Sequence, residues 1–258
     1  HKLGYIPYPC GTVLFRNERF RDLITFDAPY VFETGSDEDF IGRHILEGSK
    51  PGAAAAACWF AHRVVPLNQS GYGAIIGKSI QSAQELYLKL SRDLPSRLEE
   101  TGVRLQILTD PPDLNLVCFA VNRDGNESLA GMNRLNRAVY DRLRFHDDQV
   151  IQGDDFMMSS TVFEWENYGK PGVAGRSCVD GHLEALGISP DEFRKVGRMR
   201  ILRCTIMSPW FDISRGGRPD YVQAFCGSLE RAIGEALKET IPGSDETVAE
   251  RGEQEHLR

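Results

Sequence analysis

Several features are missing from this 258-residue chain, and each absence removes a class of function. No apolar run approaches the roughly 20 residues needed to span a bilayer. The longest, Ala53 to Phe60, is mostly alanine and predicts a packed helix. A basic excess is also lacking: the formal net charge is -7, which argues against nucleic acid or anionic membrane as a partner. The cysteines Cys10, Cys58, Cys118, Cys178, Cys204 and Cys226 include no Cys-x-x-Cys pair, so neither a zinc ribbon nor a dense disulfide framework follows. Some sit in apolar segments, Ala57-Cys58-Trp59 and Val117-Cys118-Phe119, where a free thiol behaves as a small buried hydrophobe. His44, His62, His146, His182 and His256 have no ligand-like spacing, and no metal site is expected. Gly71-x-Gly73 lacks the preceding strand that a phosphate-binding fingerprint needs. There are no internal repeats and no signal peptide pattern, and a reducing cytoplasm is the expected compartment.

What is present is the composition of a soluble globular protein, 41% hydrophobic and 26% charged. Gly11 to Arg16 is β-branched and aromatic, and predicts a buried strand ending a larger sheet. Phe26 to Ser36 has turn residues and no period, as a loop does. A helix is expected from Gly48-Ser49-Lys50-Pro51-Gly52, with Ser49 capping and Pro51 in its first turn, as far as Val65. After a break at Asn68 to Gly73, Ile75, Ile76, Ile80, Ala83, Leu86, Tyr87 and Leu90 predict a second helix toward Glu99, disturbed near Pro95. Val103–Leu108 and Leu114–Val121 read as strands around an Asp110-Pro-Pro-Asp113 turn. Helices follow at Leu129–Arg144, Asp180–Leu186 and Asp220–Lys238, with strands at Phe156–Phe163 and Ile201–Met207. From Ile241 the tail is polar, acidic and without aromatics, as disordered segments are. The alternation after residue 100 suggests helices on one face of a mainly antiparallel sheet. The part before it, one strand, a loop and two helices, leaves too much apolar surface, and an N-terminal half outside this sequence is expected.

The first eleven residues, His1-Lys2-Leu3-Gly4-Tyr5-Ile6-Pro7-Tyr8-Pro9-Cys10-Gly11, place a lysine beside a histidine before a glycine- and proline-rich turn. Asp27-Ala28-Pro29-Tyr30, Gly48 to Gly52, and Ile201 to Pro209 (ILRCTIMSP) follow in order. Together they resemble the group II pyridoxal-phosphate-dependent amino acid decarboxylases, the family of tyrosine, aromatic-L-amino-acid and glutamate decarboxylases, from His1 to about Leu237.

The resemblance implies an α/β, fold type I PLP-dependent transferase-like architecture. Residues 1–100 would be the end of the large PLP-binding domain, 101–241 a small α+β C-terminal domain, and 242–258 a disordered tail. It implies pyridoxal 5'-phosphate as cofactor, carried by Lys2 with His1 and Ser49 as further cofactor contacts, Ser49 reaching the phosphate of a dimer partner. Lys2 and Tyr30 are the implied catalytic residues, Tyr30 returning a proton to Cα. Tyr8 lines the substrate pocket and Arg203 sits near the substrate carboxylate. An unpaired guanidinium in an apolar strand is costly, so Arg203 needs an anion; a structural salt bridge satisfies that need as well. Ser208 departs from the asparagine usual in the family's strand. Ser159-Ser160-Thr161 is read as packing and solvent contact.

The activity implied is decarboxylation of an L-amino acid, aromatic and tyrosine-like, to the amine and CO2, by a homodimer with its active site at the subunit interface, in which this chain is the C-terminal portion. The partners implied are the amino acid, the second subunit and the N-terminal half of the same enzyme. Two alternatives stand beside it: a non-catalytic dimerisation or binding module with a decarboxylase fold, and a related PLP-dependent oxidase or carbon–carbon lyase.

Overall fold

The computed structural model describes residues 3–6, 10–26, 44–45, 50–145, 156–172, 177–210 and 220–239. Its contacts divide into two compact units, His1–Ile76 and Gly77–Arg258.

In the first unit, residues 11–16 form no strand and lie exposed, contrary to the sequence expectation. Among the described residues none pairs with them, and an unpaired segment has no ladder to hold it. A 3-10 helix follows at Glu18–Ile24, started by Asn17, whose side chain accepts from the Arg19 N–H at 3.0 Å. Helix α1 spans Ala53–Val64. Its N-cap is Gly52, which offers no capping side chain, and Pro51 precedes the helix rather than entering it. Ser49, the expected cap, lies outside the described residues. α1 buries no residue at all: Trp59 and Phe60 are each 63% exposed, so the packed helix expected here is instead an open apolar one. It stops before Pro66, as a residue preceding proline must leave the α region. In the turn that follows, the Pro66 carbonyl accepts from Asn68 and Tyr72. A Cβ on Gly71 would lie 2.0 Å from that carbonyl oxygen, so only glycine fits. Helix α2, Tyr72–Leu88, begins there.

The second unit is built on a four-stranded, wholly antiparallel sheet: β1 (Val103–Ile107), β2 (Leu116–Arg123), β3 (Ser159–Glu164) and β4 (Arg198–Thr205), in the order β1-β2-β4-β3. The helical path from α2 is disturbed where expected. Lys89–Asp93 winds as a π turn, with the Leu94 N–H bonded to the Lys89 carbonyl, before α3 (Leu94–Leu98) starts with Pro95 in its first turn. Proline has no N–H to give to the preceding turn, and the extra residue absorbs that mismatch. The remaining helices are α4 (Leu129–Arg142), the single turn α5 (Trp165–Tyr168), α6 (Asp180–Leu186), α7 (Pro190–Val196) and α8 (Tyr221–Glu239).

Strand alternation sorts the core onto two faces. Val103, Ile107, Val117, Phe119, Val121, Leu202 and Cys204 join α3, α4 and α8 in one cluster. Ala120, Met199 and Ile201 join Leu183 and Leu186 of α6, Phe193 of α7, and Leu129 and Met132 of α4 in the other. Helices therefore cover both faces, not the one face expected. The mixed α/β character and the antiparallel sheet are as expected. α7 is absent from the sequence expectation, although Ser189-Pro190-Asp191-Glu192 has the form of a helix start: the Ser189 hydroxyl accepts from the Glu192 N–H at 3.1 Å. α6 and α7 each end on a left-handed glycine, Gly187 and Gly197, which turns the chain sharply enough to fit two short helices ahead of β4.

α4 contributes to both clusters because it is wedged beside the sheet. The β2–β4 pairing runs only from Leu116↔Thr205 to Phe119↔Leu202. Beyond it the Asn136 side chain takes the place of a strand, accepting from the Val121 N–H at 3.0 Å and donating to the Val121 carbonyl at 2.7 Å. Asn133 does the same for β4, accepting from the Arg200 N–H at 2.8 Å and donating to the Arg198 carbonyl at 3.0 Å. Two asparagines one turn apart thus satisfy the backbone groups left open where the strands part.

Candidate active site

His1, Lys2, Tyr8, Tyr30 and Ser49 lie outside the described residues, so of the six site residues expected from the sequence, the structure describes Arg203.

Arg203 sits on β4 with Ser159 of β3 opposite on one side and Cys118 of β2 on the other. It shares a sheet face with Met199 and Ile201. Near it Leu116 is 41% exposed and Met157 is 56% exposed. The half-buried guanidinium donates from Nε to the Ser159 hydroxyl at 2.9 Å, and that hydroxyl donates back to the Arg203 carbonyl at 3.1 Å. Ser159 therefore braces the arginine between its own backbone and its side chain. Sequence reasoning gave Ser159 no such role; its register opposite Arg203 is visible only once the strands are paired. Among the described residues no carboxylate lies within ion-pair distance of Arg203. Burial pushes the Cys118 thiol up, and the neighbouring Arg203 charge opposes that shift.

The segment after β4 is held rather than loose. The Ile206 N–H donates to the Asn115 carbonyl at 2.9 Å, the Asn115 side chain donates to the Ile206 carbonyl at 2.8 Å, and the Ser79 hydroxyl donates to the Met207 carbonyl at 3.2 Å. Ser208, the departure from the usual asparagine, accepts from the Trp210 N–H at 3.3 Å and makes a local turn. The arrangement presents a positively charged fork on β4 that the Ser159 hydroxyl braces. A guanidinium so placed can hold a carboxylate or phosphate through charge-assisted hydrogen bonds.

A separate open cleft of about 680 Å³ is lined by Glu127, Ser128, Gly187, Ile188, Ser189, Glu192 and Lys195. Two of its charged groups are already engaged: Glu192 accepts from the Leu129 N–H at 3.3 Å and pairs with Lys195 at 3.7 Å. Among the described residues no group of His, Cys, Asp and Glu is arranged to hold a metal ion, and no helix is long and apolar enough to cross a membrane.

Comparison with known proteins supplies the context for the arginine. Residues 82–237 match the family model described as tyrosine decarboxylase, C-terminal. The chain is 38% identical to an L-tyrosine decarboxylase of Enterococcus faecalis, over 82% of this chain and 33% of that protein. It is 35% identical to an L-tyrosine decarboxylase of Enterococcus faecium, over 92% of this chain and 37% of that protein. A more distant relative, a probable L-tyrosine/L-aspartate decarboxylase of Methanopyrus kandleri, is 30% identical over 45% of this chain and 27% of that protein. The chain thus spans about a third of the length of the nearer curated relatives it matches. The matched segment holds Arg203 and Ser159, while Lys2, Tyr8, Tyr30 and Ser49 precede it.

Proposed function

This chain belongs to the tyrosine decarboxylase C-terminal family, and on that footing we propose that it is the C-terminal portion of a PLP-dependent enzyme that decarboxylates an L-amino acid to the amine and CO2. The observation that carries the reading is the family match across 82–237, which is PLP-dependent by family and contains the one described site residue. An aromatic, tyrosine-like substrate is favoured, since two of the relatives are L-tyrosine decarboxylases by name. Aspartate is the second substrate candidate, favoured by the name of the Methanopyrus relative.

In this reading Arg203 holds the substrate α-carboxylate. Its geometry supports that role: the guanidinium is half-buried and oriented by Ser159, with no carboxylate in ion-pair distance among the described residues. Pyridoxal 5'-phosphate, when bound, supplies the electron sink for the pair left behind by departing CO2. Lys2 is proposed to carry it, His1 and Ser49 to contact it, and Ser49 to do so from the partner subunit of a homodimer. Tyr30 is proposed to deliver the proton to Cα, and Tyr8 to contact the substrate side chain. The family-model match begins at residue 82, downstream of all five, so these assignments rest on the resemblance of the His1 to Gly11, Asp27 to Tyr30 and Gly48 to Gly52 segments. The proposed enzyme is cytoplasmic. Its large domain ends at residue 100, its small domain spans 101–241 and its tail 242–258, and the N-terminal half comes from polypeptide outside this sequence.

The test is an amino acid panel given to the complete enzyme, with CO2 and amine both measured. Release from L-tyrosine is expected, and aspartate turnover in its place would favour the second candidate. Release of aldehyde and ammonia would instead mark the related oxidase. Arg203→Ala should raise KM by about 10- to 100-fold, the value of charge-assisted hydrogen bonds of about 1.5–3 kcal/mol. An unchanged KM removes Arg203 from the clamp.

A further inference from the structure

Strand β4 carries two arginines that serines of β3 hold at different atoms. On one sheet face Arg200 Nη1 donates to the Ser160 hydroxyl at 3.0 Å, which holds that side chain at its tip. On the other face Arg203 is held at its root, where Nε donates to the Ser159 hydroxyl at 2.9 Å. A guanidinium has five N–H donors, one on Nε and two on each terminal nitrogen. Among the described residues no acceptor takes Nη1 or Nη2 of Arg203. The Ser159 hydroxyl is already used: its single proton goes to the Arg203 carbonyl at 3.1 Å, and a lone pair receives the Nε–H. With no proton left for an anion, Ser159 acts on a carboxylate only through the arginine. The hydroxyl links the Arg203 backbone to its own side chain and so restricts the torsions between them.

We propose that Ser159 is a positioning residue that makes Arg203 take the substrate carboxylate end-on, through Nη1 and Nη2. The inference rests on the reading of Arg203 as the carboxylate clamp. A carboxylate pairs with a guanidinium either across its side edge, Nε and one terminal nitrogen, or across its end, both terminal nitrogens. Ser159 occupies the side edge and leaves the end. Holding that end in one orientation before the substrate arrives removes part of the ordering cost from binding. The two edges predict opposite signs. End-on binding is aided by Ser159, so removing the hydroxyl weakens the substrate. Side-on binding competes with Ser159 for Nε, so removing the hydroxyl strengthens it.

In the complete enzyme Ser159→Ala should raise KM for the amino acid by about 2- to 10-fold, the value of one ordinary hydrogen bond. Inhibition by the amine product, which lacks the carboxylate, should not change. Ser159→Thr, which keeps the hydroxyl, should restore KM, and Ser160→Ala should leave it unmoved. In an Arg203→Ala background, Ser159→Ala should add nothing, because it acts through that arginine. In the 258-residue chain alone, the Arg203 Nε–H should exchange with solvent more slowly than in Ser159→Ala. An unchanged or lowered KM in Ser159→Ala would overturn the proposal, as would equal weakening of amino acid and amine. A further rise over Arg203→Ala alone, or an equal rise in Ser160→Ala, would overturn it too. Where Arg203→Ala raises KM, those results sink this inference and leave the proposed function standing. An unchanged KM in Arg203→Ala removes the clamp and this inference together.

Discussion

Helices α1 and α8 are both rich in apolar residues and have opposite fates. α8 buries Val222, Phe225, Cys226, Leu229, Ala232, Ile233 and Ala236, while α1 buries none of its twelve residues. Apolar content does not separate them; spacing does. The buried positions of α8 recur every three or four residues and make one stripe that fits the sheet. In α1 five alanines surround the axis, and the large side chains Trp59 and Phe60 are adjacent, so they point in different directions. The same contrast holds between the units. The second carries two core clusters, whereas the first leaves Leu14, Leu23, Phe26, Trp59, Phe60 and Leu67 largely exposed. Exposed apolar surface on that scale marks an interface. In the proposed enzyme it is available to the N-terminal half and the second subunit.

The comparison is open to direct attack. Phe119, fully buried where β2 meets β4, should cost about 3–5 kcal/mol as Phe119→Ala, read from urea unfolding followed by circular dichroism. Phe60→Ala on α1 should stay within about 0.5 kcal/mol. Similar losses at the two positions would show that α1 is packed after all. Next in size is Asn136→Ala, which strands the N–H and the carbonyl of Val121 beside an unextended ladder. The expected loss is roughly 1–3 kcal/mol per stranded group, and faster amide exchange at Val121 should accompany it. Ser128 and Ser189 cap α4 and α7, and each alanine variant should lose about 1 kcal/mol in the same unfolding assay.

The smallest effect is at alkaline pH. Burial pushes the Cys226 thiol up to about 11, and buried Cys204 shifts in the same direction. A thiol whose folded pKa is raised keeps its proton better in the folded chain than in the unfolded one. Its contribution is complete below the unfolded value of about 8.5 and declines as pH rises through about 11. Replacing both cysteines with alanine should flatten the decline in stability between those limits, measured against the unsubstituted chain. An unchanged slope would contradict the burial of these thiols.

The legible parts of the sequence were those in which one pattern decided one element. The periodicity of α8, the apolar runs of β1 and β2 and the proline disturbance before α3 were each readable in that way. α7 carried a readable start in Ser189-Pro190-Asp191-Glu192, and its shortness hid it. Residues 11–16 show the reverse: strand-forming residues without a partner strand make no strand, because ladder bonds are non-local. The asparagine wedge of α4 had no signal. Asn133 and Asn136 look like exposed polar positions until the strands part beside them. At the candidate site, an arginine in an apolar strand was legible as a charge in need of a partner, and Ser159 became its brace only through cross-strand register.

The central claim, that Lys2 holds the cofactor of a decarboxylase to which this chain contributes the C-terminal portion, is tested most directly by borohydride reduction of the complete enzyme with pyridoxal 5'-phosphate, followed by peptide mass mapping. The account predicts a single pyridoxyl group on Lys2, lost in Lys2→Ala. A pyridoxyl group fixed on a different lysine, with Lys2 unmodified, would contradict it.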